Sequence, residues 1–89
     1  MKIDSDPVKS QQNVETRGLS FEQVYQFEFT TATFETDDRA DYGEVRINAI
    51  GFINQRLHHL TYTLRGETIR VISLRKANNR EKKKYVSNN

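Results

Sequence analysis

The feature that most constrains the fold is a change of hydrophobic period near Thr30. Before it the apolar residues recur at helical spacing, and after it they alternate with a period of two among many β-branched residues. The alternating part divides into four predicted strands, at 31–36, 44–53, 57–65 and 68–76. Asn54-Gln55 and Gly66-Glu67 stand where two-residue hairpin loops belong.

Each of these loops fixes one strand register. The loop at 66 and 67 places Tyr62 opposite Val71, and the loop at 54 and 55 places Ile47 opposite Tyr62 and Ala49 opposite Leu60. Both registers put the same apolar set on one face, an agreement that a slip of one residue would destroy. The sequence therefore predicts an antiparallel sheet with one buried face.

The opposite face of this sheet is the candidate functional surface. Its predicted rows are Arg46, Thr63, Arg70 and then Asn48, Thr61, Ile72, with Arg65 at the hairpin end and His59 toward the other end. Strand parity puts Arg75 on the core face, but at a strand end where its side chain can reach the edge. Arginine and threonine are also ordinary solvent-facing strand residues, so a plain surface remains an open alternative.

Three helix starts are readable from capping residues. Asp6-Pro7 opens a helix that should end at Gly18, and the capping box from Ser20 to Gln23 opens a second. Asn78 and Glu81 form another capping box, which starts a short C-terminal helix rich in lysine. We expect residues 86–89 to be a frayed tail.

Length and composition limit the class of protein. With 89 residues we expect a single domain, 1–89, and the absence of cysteine excludes disulfides, thiolate zinc sites and a thiol nucleophile. No apolar run has the length of a signal peptide or a membrane span, so we expect a cytoplasmic protein without a membrane partner. Residues 1–44 hold four basic and ten acidic residues, whereas residues 45–89 hold ten basic and two acidic. This asymmetry indicates that the second half binds a polyanion.

The basic residues of the second half could supply the cations that binding or cleaving RNA requires. Arginines grip phosphates with forked hydrogen bonds, and exposed aromatics such as Tyr42, Phe52 and Tyr85 can stack on unpaired bases. Cleavage through the 2′-hydroxyl needs a base, an acid and positive charge. Of the pair His58-His59 only His59 reaches the arginine row, and a purely structural histidine remains an alternative. The acidic residues Asp37, Asp38 and Asp41 fit a solvated turn, so we expect no metal and no cofactor.

Further motifs run in order along the chain: Asp6-Pro7-x-Lys9, Asn13, Gly18-Leu19-Ser20-Phe21-Glu22, Asp37-Asp38-Arg39-x-Asp41-Tyr42-Gly43-Glu44-x-Arg46, Ile50-Gly51, and Thr63-x-Arg65-Gly66-Glu67-x-Ile69-Arg70-x-Ile72-Ser73-x-Arg75-Lys76-Ala77 through Glu81 and Tyr85. Together they resemble the BrnT family of bacterial toxins. The resemblance implies an α+β, RelE-like fold with two N-terminal helices, an antiparallel sheet of about four strands and a short C-terminal helix. It also implies a ribonuclease that inhibits translation, and a cognate BrnA-like antitoxin of ribbon-helix-helix type whose complex with the toxin binds operator DNA.

The resemblance also suggests roles for individual residues. The implied catalytic residues are Arg65, Arg70, Arg75 and Tyr85. Arg46 and Lys76 also stand at positions of the pattern, and together with the basic residues Arg80 and Lys83 they are the predicted RNA-binding residues. This chain departs from the family pattern in two places: it has Ser5 where an aromatic, often tryptophan, is common, and Thr16-Arg17-Gly18 where Lys-His-Gly is common. The alternative function is therefore a degenerate toxin fold that binds antitoxin and nucleic acid without turnover. His58 and His59 are not family positions and receive no role from the resemblance.

Overall fold

A computed structural model describes residues 2–88 of the chain. The elements, in chain order, are β1 (Lys2–Asp4), α1 (Pro7–Arg17), a 3₁₀ helix (Phe21–Gln26), a short 3₁₀ turn (Phe29–Thr31), β2 (Thr33–Asp37), β3 (Arg46–Ile53), β4 (Arg56–Arg65), β5 (Thr68–Lys76) and α2 (Asn79–Ser87). In this part of the chain no helix is both long enough and apolar enough to cross a membrane.

The strands form one five-stranded mixed sheet in the order β1-β5-β4-β3-β2. The prediction of a four-stranded antiparallel sheet is wrong, because β1 adds a fifth strand that runs parallel to β5 and pairs Ile3 with Ile69. A three-residue strand is shorter than the four to eight residues over which alternation can be recognised. The hairpin registers, in contrast, are confirmed: Tyr62 pairs with Val71 and with Ile47.

The prediction of two N-terminal α-helices is also wrong, because the second is a 3₁₀ helix. Its capping box is present as expected, with Ser20 and Gln23 in the two reciprocal bonds. Phe21, Val24 and Phe27 are all buried, at 2%, 0% and 4% exposure. A 3₁₀ helix has three residues per turn, so residues spaced by three lie on one side and all reach the core together. The apolar spacing of this segment fits 3₁₀ geometry better than the 3.6-residue α-helical turn.

Helix α1 has the predicted ends. Asp6 accepts a hydrogen bond from the Val8 amide, and Gly18 closes the helix with a φ of 71°, in the left-handed region that glycine adopts without strain. The helix is attached through Asn13, a buried residue whose Nδ2 donates to the carbonyl oxygens of Leu19 and Leu74, both at 2.8 Å. One side chain thus joins α1 to β5 and to the segment after the helix.

The core lies between the 3₁₀ helix and one face of the sheet. It is built from these buried residues: Leu19, Phe21, Val24, Phe27, Ala49, Ile53, Leu60, Tyr62, Ile69, Val71 and Leu74. The backbone at Gly51 packs so closely against the core that a Cβ at this position would lie 2.7 Å from Cζ of Phe27 and 3.0 Å from Cβ of Ala32. The turn at Asn54 and Gln55 has φ of 49° and 69°, the positive values that a type I′ hairpin requires at both central positions.

A β-bulge in β5 changes the second half of the predicted register. Thr61 pairs with Ser73, so the predicted pairing of Thr61 with Ile72 is wrong. The extra residue turns Leu74 into the core, where it is fully buried, and brings Arg75 opposite His59. Arg75 therefore shares a face with Arg46, Arg65 and Arg70. We call this side of the sheet, opposite the core, the arginine face.

Helix α2 packs on one end of the arginine face, where it contacts β3. The predicted capping box is present between Asn78 and Glu81. Residues 86 and 87, which we expected in a frayed tail, belong to this helix, and Asn88 follows as its cap. Asn89 lies outside the described residues.

Candidate functional site

The four arginines of the arginine face occupy two places. Arg70 pairs with Thr63 on β5, Arg46 lies in the same row on β3, and Arg65 is two residues from Thr63 on β4. Arg75 pairs with His59, four residues from Thr63, which corresponds to about 13 Å along the strand. The structure thus brings Arg46, Arg65 and Arg70 together, here called the arginine triplet, and places Arg75 apart from them.

Within the arginine triplet, Arg46 contacts both an aromatic ring and a carboxylate. Its Cζ lies 3.9 Å from the ring centroid of Tyr42, a cation–π contact, and its Nε lies 3.5 Å from Glu44. Arg65, with 61% of its side chain exposed, reaches the same carboxylate at 3.9 Å. The guanidinium of Arg46 therefore covers one face of the Tyr42 ring.

Arg70 completes the arginine triplet and is paired more tightly. Its Nη1 donates to Oδ2 of Asp4 at 2.6 Å, so the edge strand β1 supplies the carboxylate. All three arginines of the triplet have a carboxylate partner on a partly exposed surface. Such pairs contribute little stability and exchange readily with another anion.

A cleft lies between α2 and the sheet, and we call it the α2 cleft; Arg75 lies beside it and contacts Glu81, one of the residues that line it. The Arg75 guanidinium donates two hydrogen bonds, both of 2.7 Å, to the two carboxylate oxygens of Glu81. Nε2 of His59 lies 3.6 Å from Oε2 of the same carboxylate. The cleft has a volume of about 380 Å³ and is lined by Thr33, Phe34, Glu35, Asn48, Ile50, His59, Arg80, Glu81, Lys84 and Asn88.

Partial burial shifts the pKa of Glu81 and of His59, which together with Arg75 form a cluster at the α2 cleft. Burial alone would raise the pKa of Glu81, but the hydrogen bonds from Arg75 and the Asn78 amide outweigh it, and the pKa is lowered. Burial lowers the pKa of His59, and the positive charge of Arg75 adds to this, although the Glu81 carboxylate acts in the opposite direction. At neutral pH the α2 cleft therefore holds an ionised carboxylate, a guanidinium and a neutral imidazole.

The sequence model of one protein family, described as ribonuclease toxin, BrnT, of type II toxin-antitoxin system, matches residues 6–81. The chain belongs to the BrnT family. Membership implies an RNA target and an antitoxin partner. The matched range contains the arginine triplet, His59, Arg75 and Glu81. A search of curated proteins found no match.

The other residues that the BrnT resemblance suggested lie around the α2 cleft or outside it. Arg80 lines the cleft. Lys76 and Lys83 are exposed, at the end of β5 and on α2. The hydroxyl of Tyr85 donates to the carbonyl oxygen of Thr31 at 3.0 Å, and its ring stands edge-on to Phe52. Tyr85 and Lys83 also lie beyond the range that the BrnT family model matches.

The acidic segment differs from the solvated turn that we expected. Asp37 ends β2 and is buried, and Arg39 binds both of its carboxylate oxygens, at 2.8 and 2.7 Å. The Arg39 guanidinium holds the pKa of Asp37 well below its usual range. Asp38 and Asp41 are exposed as expected. Among residues 2–88 no three His, Asp or Glu side chains lie close enough together to hold a metal ion.

The two departures from the BrnT pattern lie away from the α2 cleft. Arg17 is an exposed residue in the last turn of α1, which packs against β5 and the 3₁₀ helix. Ser5 lines a groove of about 760 Å³ between the start of α1 and the 3₁₀ helix. A small side chain at this position leaves unfilled space beside Phe21 and Tyr25, which also line the groove.

Sequence reasoning missed the cluster at the α2 cleft, although it named each member. The hairpin register placed His59 on the arginine face, but without the bulge Arg75 fell on the core face, and Glu81 was read as a helix cap. Glu81 does cap α2, since its Oε1 accepts from the Asn78 amide at 2.9 Å. The signal that could have found the cluster is Leu74, an apolar residue whose parity disagrees with the register of Tyr62 and Val71.

Proposed function

We propose that this protein is a metal-independent endoribonuclease that inhibits translation in the cytoplasm, and that a cognate ribbon-helix-helix antitoxin of BrnA-like type neutralises it. The observation that carries the proposal is the arginine face, on which three strands present four arginines beside a cleft large enough for a small ligand. Family membership supplies the reaction class.

In this proposal the α2 cleft binds the scissile phosphate. Attack of the 2′-oxygen on phosphorus gives a five-coordinate phosphate with additional negative charge, which Arg75 and Arg80 stabilise. Arg75 must first exchange Glu81 for phosphate oxygens, and a bidentate guanidinium suits either anion. Arginines thus provide the positive charge that a metal ion provides in other nucleases.

In this proposal the arginine triplet binds phosphates of the RNA other than the scissile phosphate. Its three guanidiniums are held in place by Glu44 and Asp4, and RNA phosphates compete with those carboxylates. Because affinity for RNA comes from released counterions, binding should weaken steeply with salt. Lys76 and Lys83, both exposed, add positive charge at the margin of the surface.

The test is incubation of the purified protein with bulk RNA in the presence of EDTA. We expect cleavage by the wild type, a loss of at least about 100-fold in Arg75→Ala, and a smaller loss in Arg65→Ala that arises from weaker binding. The matched control is Arg56→Ala, since Arg56 is an exposed arginine at the other end of β4. Intact RNA with the wild type would count against catalysis, and full activity in both arginine variants would reject the site.

The second candidate function is a binding module that no longer turns over RNA. It is favoured by Arg17, which replaces a common histidine and cannot release a proton near neutral pH. This candidate predicts salt-sensitive RNA binding without cleavage products. The same incubation, followed by a binding measurement at several salt concentrations, separates the two candidates.

The proposed antitoxin contacts the arginine face. An inhibitor that covers these arginines must bring carboxylates to them, because desolvated and unpaired guanidiniums are costly. We therefore expect complex formation to abolish RNA binding while the complex binds operator DNA through the antitoxin. Simultaneous binding of antitoxin and RNA to one toxin molecule would contradict this arrangement.

A further inference from the structure

We infer that His59 is the proton acceptor for the 2′-hydroxyl in RNA cleavage by this protein. The inference rests on the proposed ribonuclease function and adds to it a catalytic residue outside the positions that carry the BrnT resemblance. It follows from where the imidazole lies, which charged groups surround it, and how it differs from the neighbouring His58.

His59 is placed in the α2 cleft by the strand register. It lies on β4, pairs with Arg75, and its side chain is 14% exposed. Nε2 lies 3.6 Å from Oε2 of Glu81, whose two oxygens also accept from Arg75. A phosphate bound by Arg75 in place of Glu81 would therefore lie beside the imidazole.

The groups that face His59 come from three elements. Helix α2 brings Glu81 together with Arg80 and Lys84, and β5 brings Arg75. Strand β2 brings Glu35 and Asp37, and Arg39, which follows β2, is paired with Asp37. Burial and the nearby positive charges keep the imidazole neutral at pH 7, which is the form that accepts a proton. The Glu81 carboxylate stabilises the imidazolium that forms.

The two adjacent histidines differ in how their rings are held. Nδ1 of His58 is fixed by a 2.8 Å hydrogen bond with the Arg56 carbonyl oxygen, and its residue is 4% exposed. Nδ1 of His59 is buried and has no hydrogen-bond partner within residues 2–88. Nε2 accepts a proton only in the tautomer that carries the hydrogen on Nδ1, and no partner at Nδ1 within residues 2–88 opposes that tautomer. Nε2 is the nitrogen that faces the cleft.

In the proposed step one bond to phosphorus forms and one breaks. The 2′-hydroxyl proton passes to Nε2 of His59, the 2′-oxygen forms a bond to phosphorus, and the bond from phosphorus to the 5′-oxygen breaks. The departing 5′-oxygen takes a proton from water at the mouth of the cleft. The products are a 2′,3′-cyclic phosphate and a 5′-hydroxyl end, and the imidazolium returns its proton to solvent.

The test compares His59→Gln with His58→Gln in single-turnover cleavage of a labelled RNA oligonucleotide in EDTA, between pH 5 and 8. For the wild type we expect the rate to fall at acidic pH as His59 becomes protonated. His59→Gln should lose at least about 100-fold in rate, and with it the acidic limb, while its affinity for an RNA with 2′-O-methyl riboses stays within about threefold. His58→Gln should keep the wild-type rate and profile.

Several results would overturn the inference. The inference is overturned if the cleavage rate of His59→Gln is within about threefold of the wild-type rate, or if the rate of this variant still falls at acidic pH as that of the wild type does. If glutamine prevents folding, as judged by circular dichroism, His59→Ala with added imidazole replaces it, and absence of rescue then counts against the inference. Cleavage by the wild type and by His59→Gln alike would reject this inference alone, whereas no cleavage by the wild type would reject the proposed function as well.

Discussion

Glu81→Gln should destabilise the protein far more than Glu35→Gln, although both variants remove an ion pair between α2 and the sheet. Glu81 is 14% exposed, accepts two hydrogen bonds from Arg75 and faces His59. Glu35, which pairs with Lys84, is 62% exposed. The contrast therefore tests whether burial, and not the number of ion pairs, holds α2 on the arginine face.

The magnitude follows from the contacts. Glutamine can keep its oxygen at the position of Oε1, which accepts from the Asn78 amide and from Nη1 of Arg75, so it loses the one charge-assisted hydrogen bond to Oε2 and the ionic attraction. This amounts to about 2 kcal/mol, or a fall in Tm of about 8–16 °C for a chain of this size. For Glu35→Gln we expect about 0.5 kcal/mol, or about 2–4 °C, because the pair is exposed to solvent.

The assay is thermal unfolding at pH 7 followed by far-ultraviolet circular dichroism, with both variants and the wild type in one buffer. Repetition in 0.5 M NaCl should leave the difference between the variants largely intact, because partly buried pairs are screened less than exposed ones. Equal and small losses in the two variants would refute the reasoning. They would mean that the bidentate contact of Arg75 with Glu81 adds no stability.

Three further outcomes concern stability. Burial lowers the pKa of His58 and of His59, so on acidification the unfolded chain takes up protons before the folded chain does, and stability should be lost as pH falls below about 6.5. Tm measured from pH 7.5 to 5.5 should therefore fall. The variant with glutamine at both positions should show a smaller fall. Gly51→Ala forces a methyl group against Phe27 and should cost about 1–3 kcal/mol in urea unfolding, whereas an unchanged midpoint would contradict the close packing. Asn13→Ala leaves two buried carbonyl oxygens unpaired and should cost about 2–4 kcal/mol, with loss of α1 helicity; no change in hydrogen exchange of α1 would contradict its anchoring role.

The central hairpins could be predicted from sequence because two independent loops agreed. The turns at 54–55 and 66–67 each set a register, and the apolar residues of β3, β4 and β5 fell on one side in both. Such agreement is strong evidence, since a shift of one residue in either strand exposes the whole apolar set. The helix ends were equally accessible, because Asp6, Gly18, Ser20 and Asn78 act through local hydrogen bonds.

The remaining elements depend on contacts that are distant in sequence. β1 forms by pairing with β5, with Ile3 opposite Ile69, two residues that are far apart in the sequence. A strand of three residues is too short to show a hydrophobic period of its own. The sequence predicts an α-helix for the 3₁₀ segment because the spacing of Phe21 and Val24 fits an α-helix as well as a 3₁₀ helix. Burial of Phe27 on the same side favours the 3₁₀ helix, and this burial is visible only in the structure.

The sequence identified the residues of the candidate site but did not predict how they lie relative to one another. The bulge at Ile72 moves Arg75 to the arginine face, and the docking of α2 then brings Glu81 against it. The docking of α2 leaves no local signal in the sequence, and the bulge leaves only the parity of Leu74, since a bulge adds one residue without a turn motif. Arg46, Arg65 and Arg70 lie together, whereas Arg75 lies apart from them beside the α2 cleft.

The most direct test of the proposal that RNA binds the arginine face is a titration of the ¹⁵N-labelled protein with an RNA oligonucleotide carrying 2′-O-methyl riboses, followed by heteronuclear NMR. We predict that amide shifts change along β3, β4 and β5 at the arginine triplet, at His59 in the α2 cleft and at Arg75 beside it. Changes confined to α1 and the 3₁₀ helix, with the arginine face unperturbed, would contradict the proposal.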